Sequence, residues 1–235
     1  MIEYASNLTE LETIFTNMGF EKDESILSSN VWYYTAQKPE TVTSTTPCFI
    51  LTWEQGTRPF VYRNSAGDSI TAFLAALSNT TGYSIKIEYY KLYNGGLIFR
   101  GVIGQTNNIV NITFDRMLCF AIIPSNNNSD WNIIYNTATN ATGADYKLDT
   151  ANGIVGTLAT LTSSNTVNSL DISILTKVYN NRDGIIDGEV YYDIVPHASI
   201  TDTLFTQVNG IDYVLGFGVT NQPYPRFAFR LADPT

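Results

Sequence analysis

The spacing of apolar positions predicts a short amphipathic helix near the start of the chain. Asn7 is a suitable N-cap residue and Glu10 stands three positions later, which is the capping-box arrangement. Gly19 is suited to end the helix, because glycine readily adopts the left-handed conformation of a helix C-cap. The apolar residues that share one helical face are Leu8, Leu11, Phe15 and Met18. This apolar stripe has to pack on another surface.

A second amphipathic helix is predicted over Asp68–Asn79. Asp68 or Ser69 is suited to cap its first turn, and Gly82 follows its last one. Its apolar residues, spaced at i, i+3, i+4 and i+7, are Ile70, Phe73, Leu74 and Leu77.

Most of the remaining chain alternates between apolar and polar residues, which predicts strands. Residues 84–89 indicate a half-buried strand, and further strands are predicted over residues 170–178, 190–195 and 226–231. The last of these turns Phe227, Phe229 and Leu231 inward and its arginines outward. Residues 181–184 connect the strand predicted over residues 170–178 to the strand predicted over residues 190–195. Asn-Gly pairs, which suit hairpin turns because both central residues need positive φ, begin at Asn94, Asn152 and Asn209.

Two helices among many strands indicate a mainly β fold with minor α content. Both predicted helices lie early in the chain. We therefore expect an α+β part over residues 1–105 and an antiparallel β-sandwich or barrel-like part over residues 106–235. The loop over residues 125–130 fits a connection between two strands, so one continuous domain is the alternative.

Composition excludes several classes of protein. Of 235 residues, 44% are hydrophobic and only 15% are charged, so a disordered chain is not expected. No apolar run is long enough to cross a membrane as a helix. The net charge of -9 opposes nonspecific binding to nucleic acid, which requires lysine and arginine. The first residues lack the basic and apolar regions of a secretory signal, so we expect a protein that is made in the cytoplasm and not secreted.

Candidate chemistry is sparse, and no cofactor or metal site is predicted. His197 is the only histidine, it follows Pro196, and no nucleophile motif accompanies it. Cys48 and Cys119 each lie in an apolar run, so we expect two buried thiols that act as small hydrophobic residues.

An acidic segment beginning at Asn181 resembles part of an EF-hand loop. The register fails, because positions one and twelve of that loop would be Tyr179 and Val190 instead of carboxylates. A hairpin turn explains the same residues. A carboxylate hydrolase stays open as an alternative, since two carboxylates are sufficient for that chemistry; the nearby acidic residues are Asp183, Asp187 and Glu189.

Aromatic doublets suggest a binding surface. In a strand, one residue of each doublet faces the core and its neighbour faces outward. Outward tyrosine and tryptophan residues either stack on sugars or form protein interfaces, while ordinary cross-strand packing is the alternative. The candidates are Trp32, Tyr34, Tyr90 and Tyr192. With sugars bound there, the chain would be a carbohydrate-binding adhesin or receptor-binding domain.

The chain, which we expect not to be secreted, is acidic, has a β-dominated pattern, is rich in Asn, Thr and Tyr, and has apolar runs at residues 213–217 and 226–231. In these features it resembles virion structural proteins of tailed bacteriophages, in particular neck, tail and baseplate components. The resemblance covers the style of most of the chain and no defined motif. It implies a β-rich, ring-forming subunit of the virion that is not an enzyme and whose partners are other virion proteins. Members of that class that line the DNA path are often negative inside, so that DNA slides without sticking.

A subunit of a ring requires a heterologous interface that closes by rotation. One candidate is the helical stripe of Leu8, Leu11, Phe15 and Met18, for which packing in the chain's own core is the equal alternative. The other candidate is the terminal strand, either through its backbone at a sheet edge or through Arg226 and Arg230 paired with acidic residues of the next subunit.

Overall fold

We analysed a computed structural model of the chain. It describes residues 1–23, 30–70, 83–105, 118–124, 131–140, 143–150, 155–160, 184–186, 189–191, 194–196, 205–208, 210–215 and 227–233.

The described residues form one α-helix, α1 (Leu8–Met18), and many short strands. The strands of the first half are β1 (Ile2–Ala5), β2 (Phe20–Lys22), β3 (Val31–Tyr34), β4 (Cys48–Leu51), β5 (Phe60–Arg63), β6 (Ser69–Ile70), β7 (Tyr83–Lys91) and β8 (Leu97–Gln105). Those of the second half are β9 (Leu118–Pro124), β10 (Trp131–Asn140), β11 (Gly143–Thr150), β12 (Val155–Thr160), β13 (Gly184–Ile186), β14 (Glu189–Tyr191), β15 (Ile194–Pro196), β16 (Phe205–Val208), β17 (Ile211–Leu215) and β18 (Phe227–Arg230). The mainly β fold with minor α content is confirmed.

The strands form antiparallel sheets. The largest has seven strands in the order β1-β7-β8-β9-β10-β11-β12, and a five-stranded sheet has the order β2-β3-β4-β5-β6. A four-stranded sheet has the order β15-β18-β17-β16, and β13 pairs with β14. The seven-stranded sheet includes strands from both sides of the boundary predicted at residue 105, because β8 pairs directly with β9.

The predicted first helix is confirmed as α1. The side chain of Asn7 accepts a hydrogen bond from the Glu10 N–H at 2.9 Å. The Glu10 carboxylate accepts from the N–H of Ser6 at 2.6 Å, one residue before the cap. Gly19 ends the helix with a φ of 100°, a conformation that favours glycine.

The start of the predicted second helix is wrong. Ser69 and Ile70 form β6 and pair with β5 across a tight turn. The side chain of Asn64 closes this turn by accepting from the N–H groups of Ala66 and Asp68 at 3.1 and 2.8 Å. This Asx-type turn leads Asp68 into a hairpin and not into a helix cap. Residues 71–79 of the prediction lie outside the described residues.

The predicted hairpins have mixed outcomes. Asn209-Gly210 does connect β16 to β17. Asn94-Gly95 also lies between paired strands, but a 3-10 turn over Tyr93–Gly95 replaces the expected two-residue turn. Asn152-Gly153 and the predicted strand over residues 170–178 lie outside the described residues.

An aromatic core lies between the seven-stranded and five-stranded sheets. Phe99 and Phe120 of the larger sheet contact Phe49 of the smaller one, with ring centroids 5.4 and 5.0 Å apart. Helix α1 connects the edge strand of one sheet to the edge strand of the other, β1 to β2. Its Phe15 ring contacts aromatic rings of both sheets, so the helix closes this side of the core.

The other face of the seven-stranded sheet, which we call its outer face, is also largely covered. Ile98, Ala121 and Ile134 stand opposite one another on it and are buried. At one end the four-stranded sheet packs nearby: Leu231 bridges to Leu92. Residues 84–89 do form a strand, but Ser84 and Glu88 on its predicted open side are buried. The expected half-burial of this strand is therefore wrong.

Candidate interaction surface

The helical stripe packs in the core of its own chain. Leu11, Phe15 and Met18 have no exposed surface, and Leu8 is partly buried against the same core. A side chain that fills the core cannot also dock on a neighbour. The proposed docking role of this stripe is therefore wrong, and its alternative, core packing, is correct.

The terminal strand β18 is an interior strand and not an edge. It pairs with β15 on one side and β17 on the other, so its backbone is already engaged and cannot extend a neighbouring sheet. Arg230 lies over the ring of Tyr93, with its guanidinium carbon 3.6 Å from the ring centroid, and reaches Asp233 at 3.9 Å. Both partners belong to its own chain. Arg226 lies outside the described residues.

Two of the four aromatic candidates are buried. Trp32 donates through Nε1 to Asn30 Oδ1 at 2.6 Å, and the Tyr34 hydroxyl donates to the carbonyl of Gly95 at 2.9 Å. Their proposed role as exposed platforms is wrong. Tyr90 is half-buried, and Tyr192 lies outside the described residues.

Alternation failed at β3 because both of its faces are covered. Trp32 and Tyr34 point into the aromatic core, whereas Val31 and Tyr33 pack with Cys48 in a second cluster on the opposite face. Cys48 is a free, buried thiol as predicted. Burial raises the pKa of this thiol to about 11. The side chain of Cys119 lies outside the described residues.

The candidate chemical groups are mostly outside the described residues, including His197, Asp183 and Asp187. Gly184–Ile186 pairs with Glu189–Tyr191, so Gly184, predicted to lie in the turn, lies in a strand. Among the residues that the structure describes, no group of three or more His, Cys, Asp or Glu side chains could hold a metal ion.

A buried polar cluster joins the two large sheets. The Asp149 carboxylate on β11 has no exposed surface and accepts from the Tyr62 hydroxyl at 2.6 Å and from the Ser65 N–H at 2.8 Å. The Ser65 hydroxyl donates to the other carboxylate oxygen. Burial, followed by the negative charge of Asp149, raises the pKa of Tyr62 well above its usual value. These bonds fix the β5–β6 turn to β11, which is a structural task.

A small cleft opens where β3 and β4 separate. Their pairing ends with Trp32 opposite Phe49. Pro47, two residues before Phe49, has no N–H with which to continue it. The cleft encloses about 300 Å³, part of it open solvent, and Gln37 lines its wall. Gln37 Oε1 is buried without a hydrogen-bond partner among the described residues. This single unpaired oxygen does not specify a ligand.

The exposed apolar residues gather near the edge strand β1. Ile2 and Tyr4 are each 48% exposed and lie on the outer face of the seven-stranded sheet, opposite Glu88 and Lys86. Phe205 is 47% exposed, and its ring packs edge-on against Tyr90 at 5.3 Å. Tyr90 follows Glu88 on the same face of β7, one pleat further along. We call these four residues, Ile2, Tyr4, Tyr90 and Phe205, the β1 surface.

An ion pair with a hydrogen-bonded tyrosine borders the β1 surface. Glu88 accepts from Arg100 Nε at 2.8 Å and from the Tyr90 hydroxyl at 2.7 Å. Burial, together with the Glu88 hydrogen bond, raises the pKa of Tyr90. Both charges are thus neutralised beside the exposed apolar side chains. Sequence reasoning missed this surface because β1 has only four residues, too few for a period to be recognised.

Comparisons of the chain with family models, curated proteins and solved structures found no match. In the described part of the chain, no helix is long and apolar enough to span a membrane.

Proposed function

We propose that the chain is a structural subunit of a phage virion, in the neck, tail or baseplate, and that it acts through protein–protein interfaces in a symmetric assembly. Its partners are other virion proteins and further copies of itself in a ring. It is made in the host cytoplasm and has no catalytic task. The resemblance of the chain to such proteins and its layered antiparallel sheets support this proposal.

The observation that carries the proposal is the β1 surface. Exposed large apolar side chains that cluster on one part of a protein mark interaction sites more often than chance. The adjoining charges of Glu88 and Arg100 neutralise each other, which leaves Lys86, opposite Tyr4, as the charge on this face that a partner would meet. Aromatic residues with few free charges are typical of the centre of a protein interface.

The acidic composition supports a position along the DNA path. A net charge of -9 repels the phosphate backbone, so DNA would pass an acidic lumen without binding. This part of the proposal requires acidic residues on the inner wall of the ring.

The test is co-assembly with the products of neighbouring genes, followed by mass photometry and negative-stain imaging. We expect rings of one fixed stoichiometry, and we expect Ile2→Lys to weaken them. Ser44→Lys is the matched control, because Ser44 is also exposed and the change adds the same charge in a loop away from β1. A strict monomer that joins no assembly, with neighbouring genes that encode metabolic enzymes, would end the proposal.

The two alternatives receive no specific support. For a carbohydrate-binding domain, Trp32 and Tyr34 cannot act as exposed platforms that stack on sugars, since both are buried. A glycan array with Tyr90→Ala as the control would test what is left of that hypothesis. A carboxylate hydrolase would require turnover that disappears on changing one acidic residue, and of its candidates only Glu189 lies within a described strand.

A further inference from the structure

The seven-stranded sheet ends in an open edge at β1. Among the described strands, β1 pairs only with β7 and is the terminal strand of the sheet. Met1 and Tyr89 exchange both of their backbone hydrogen bonds, at 2.6 and 2.9 Å. Backbone groups alternate in direction along an antiparallel strand, so those of Glu3 also point towards β7. The N–H and C=O groups of Ile2 and Tyr4 therefore point to the open edge.

This edge lacks lysine, proline and a bulge, three of the features that usually prevent strands from pairing between molecules, although β1 (Ile2-Glu3-Tyr4-Ala5) is only four residues long and Glu3 places a charge on its inner face. This single charge is held on that face, where the carboxylate accepts from the Tyr89 hydroxyl at 2.6 Å and from Asn17 at 3.1 Å. Ile2 and Tyr4 are exposed beside this edge, whose outward backbone groups have no partner in the described strands.

We propose that two copies of the chain pair through β1, antiparallel, about a twofold axis perpendicular to the sheet. The two seven-stranded sheets then form one continuous sheet. The occupant of the edge is a second copy because the strand is complementary to itself. With Glu3 at the axis, Ile2 of each copy stands opposite Tyr4 of the other, and directly opposite residues share a face.

The direction of the backbone groups selects this register. In this register, Ile2 of each copy forms a hydrogen-bonded pair with Tyr4 of the other copy. The two symmetry-related pairs give about four backbone hydrogen bonds. The next register, with Tyr4 opposite Tyr4, would need the N–H of Ser6, which already donates to the Glu10 carboxylate at 2.6 Å. Isoleucine opposite tyrosine is also a favourable cross-strand pair.

The same register brings the two Glu3 residues opposite each other. Like charges in directly opposed positions weaken a strand pair. Glu3→Gln therefore strengthens the dimer, a gain that a nonspecific apolar contact between Ile2 and Tyr4 side chains would not show. This twofold contact pairs two chains and does not itself close a ring, so a ring would require a further, heterologous interface. The pairing concerns the isolated chain and does not depend on the virion role.

The first test is sedimentation velocity of the purified full chain over a wide range of concentrations. We expect a monomer–dimer equilibrium that Ile2→Lys abolishes and Ser44→Lys leaves unchanged. Tyr4→Ala removes the side chain alone, whereas Tyr4→Pro also removes the N–H that points to the edge and leaves the β7 ladder intact. We expect Tyr4→Pro to weaken the dimer roughly thirtyfold more than Tyr4→Ala, for about two lost hydrogen bonds. Circular dichroism checks that each variant is folded. If Tyr4→Pro does not fold, the effect of Ile2→Lys on the dimer is the deciding result.

The second test addresses the register. Opposed residues outside the hydrogen-bonded pairs have Cα atoms about 4.5 Å apart, which permits a disulfide. Glu3→Cys should therefore form a covalent dimer on mild oxidation, faster than Tyr4→Cys, with the wild-type chain as the background. A wild-type monomer at the highest concentration, a dimer indifferent to Ile2→Lys, or faster crosslinking of Tyr4→Cys would each overturn the proposal. Dimers that join no virion assembly would refute the proposed function and leave this inference standing.

Discussion

Replacing Asp149 by alanine should strongly destabilise the protein. Its buried carboxylate accepts hydrogen bonds from the Tyr62 hydroxyl and from both the N–H and the hydroxyl of Ser65. A hydrogen bond to a charged acceptor contributes about 1.5–3 kcal/mol, and donors left buried without a partner add a desolvation penalty. Since water entering the new cavity would satisfy part of this loss, we expect a decrease of about 4 kcal/mol in the free energy of unfolding.

The assay is urea unfolding followed by tryptophan fluorescence, together with a thermal melt. For a chain of this size, 1 kcal/mol corresponds to about 2–4 °C, so the melting temperature should fall by roughly 8–16 °C. Tyr62→Phe removes one donor and keeps the ring, and it should cost about 2 kcal/mol. Asp212→Ala is the matched control, because Asp212 is exposed and its carboxylate accepts a hydrogen bond from the Gln207 side chain at 3.0 Å, the one side-chain bond it makes among the described residues. This change should alter stability by less than about 0.5 kcal/mol.

The double variant Tyr62→Phe, Asp149→Ala separates the cluster from simple loss of packing. If the two groups act through their hydrogen bond, the two changes together should cost about 1 kcal/mol less than the sum of the single changes. Strict additivity, or an Asp149→Ala variant as stable as Asp212→Ala, would refute the reasoning.

Further predictions concern the core and the alkaline limit of stability. Phe15→Ala should cost about 3–5 kcal/mol in urea unfolding, because its ring is fully buried among aromatic rings of both large sheets. Gly96→Ala should cost about 1–3 kcal/mol in the same assay, because a Cβ there would lie 2.9 Å from the carbonyl oxygen of Ile122. Iodoacetamide at pH 8.5 should label Cys48 only after unfolding, because burial raises the pKa of its thiol to about 11. Stability should also fall as the pH rises from about 9 to 12. Burial raises the pKa of Cys48 to about 11 and that of Tyr34 to about 12, so the unfolded chain loses these protons at a lower pH than the folded one. A melting temperature that stays constant across this pH range would contradict this.

The helix α1 was predictable because its signals are local. The Asn7 cap and the left-handed Gly19 enclose an apolar stripe, and no distant contact is needed to recognise them. The sequence could not show what the stripe packs against, so a docking surface and a core helix had the same pattern.

The second predicted helix failed at its start because a nonlocal pairing competes with a local period. Residues 68–70 have a helical pattern, yet Ser69 pairs with Arg63 and Ile70 with Tyr62. The signal in favour of the hairpin was Asn64, whose side chain closes the turn. A helical spacing of apolar residues over a few positions does not outweigh strand pairing with the neighbouring β5.

The candidate surface was the least predictable part of the molecule. Alternation along a strand indicates which residues share a face, but it does not indicate whether another layer covers that face. In the Trp32-Tyr33-Tyr34 segment both faces are covered, and the expected platforms became core. Their burial required partners from residues distant in sequence, such as Phe20 against Tyr34.

Burial of both faces also determines where an interaction can occur. The inner face of the seven-stranded sheet meets the aromatic core, and much of its outer face is buried as well, so edges and rims are the places where apolar surface is left in the described residues. At β1, a backbone edge with no partner among the described strands occurs together with two exposed side chains, Ile2 and Tyr4. The terminal strand, which the sequence pattern favoured as a docking element, has both edges occupied. Backbone pairing with another molecule requires a strand with a free edge. Among the described strands considered as docking elements, β1 has such an edge and β18 does not, so β1 replaces β18 as the candidate interface.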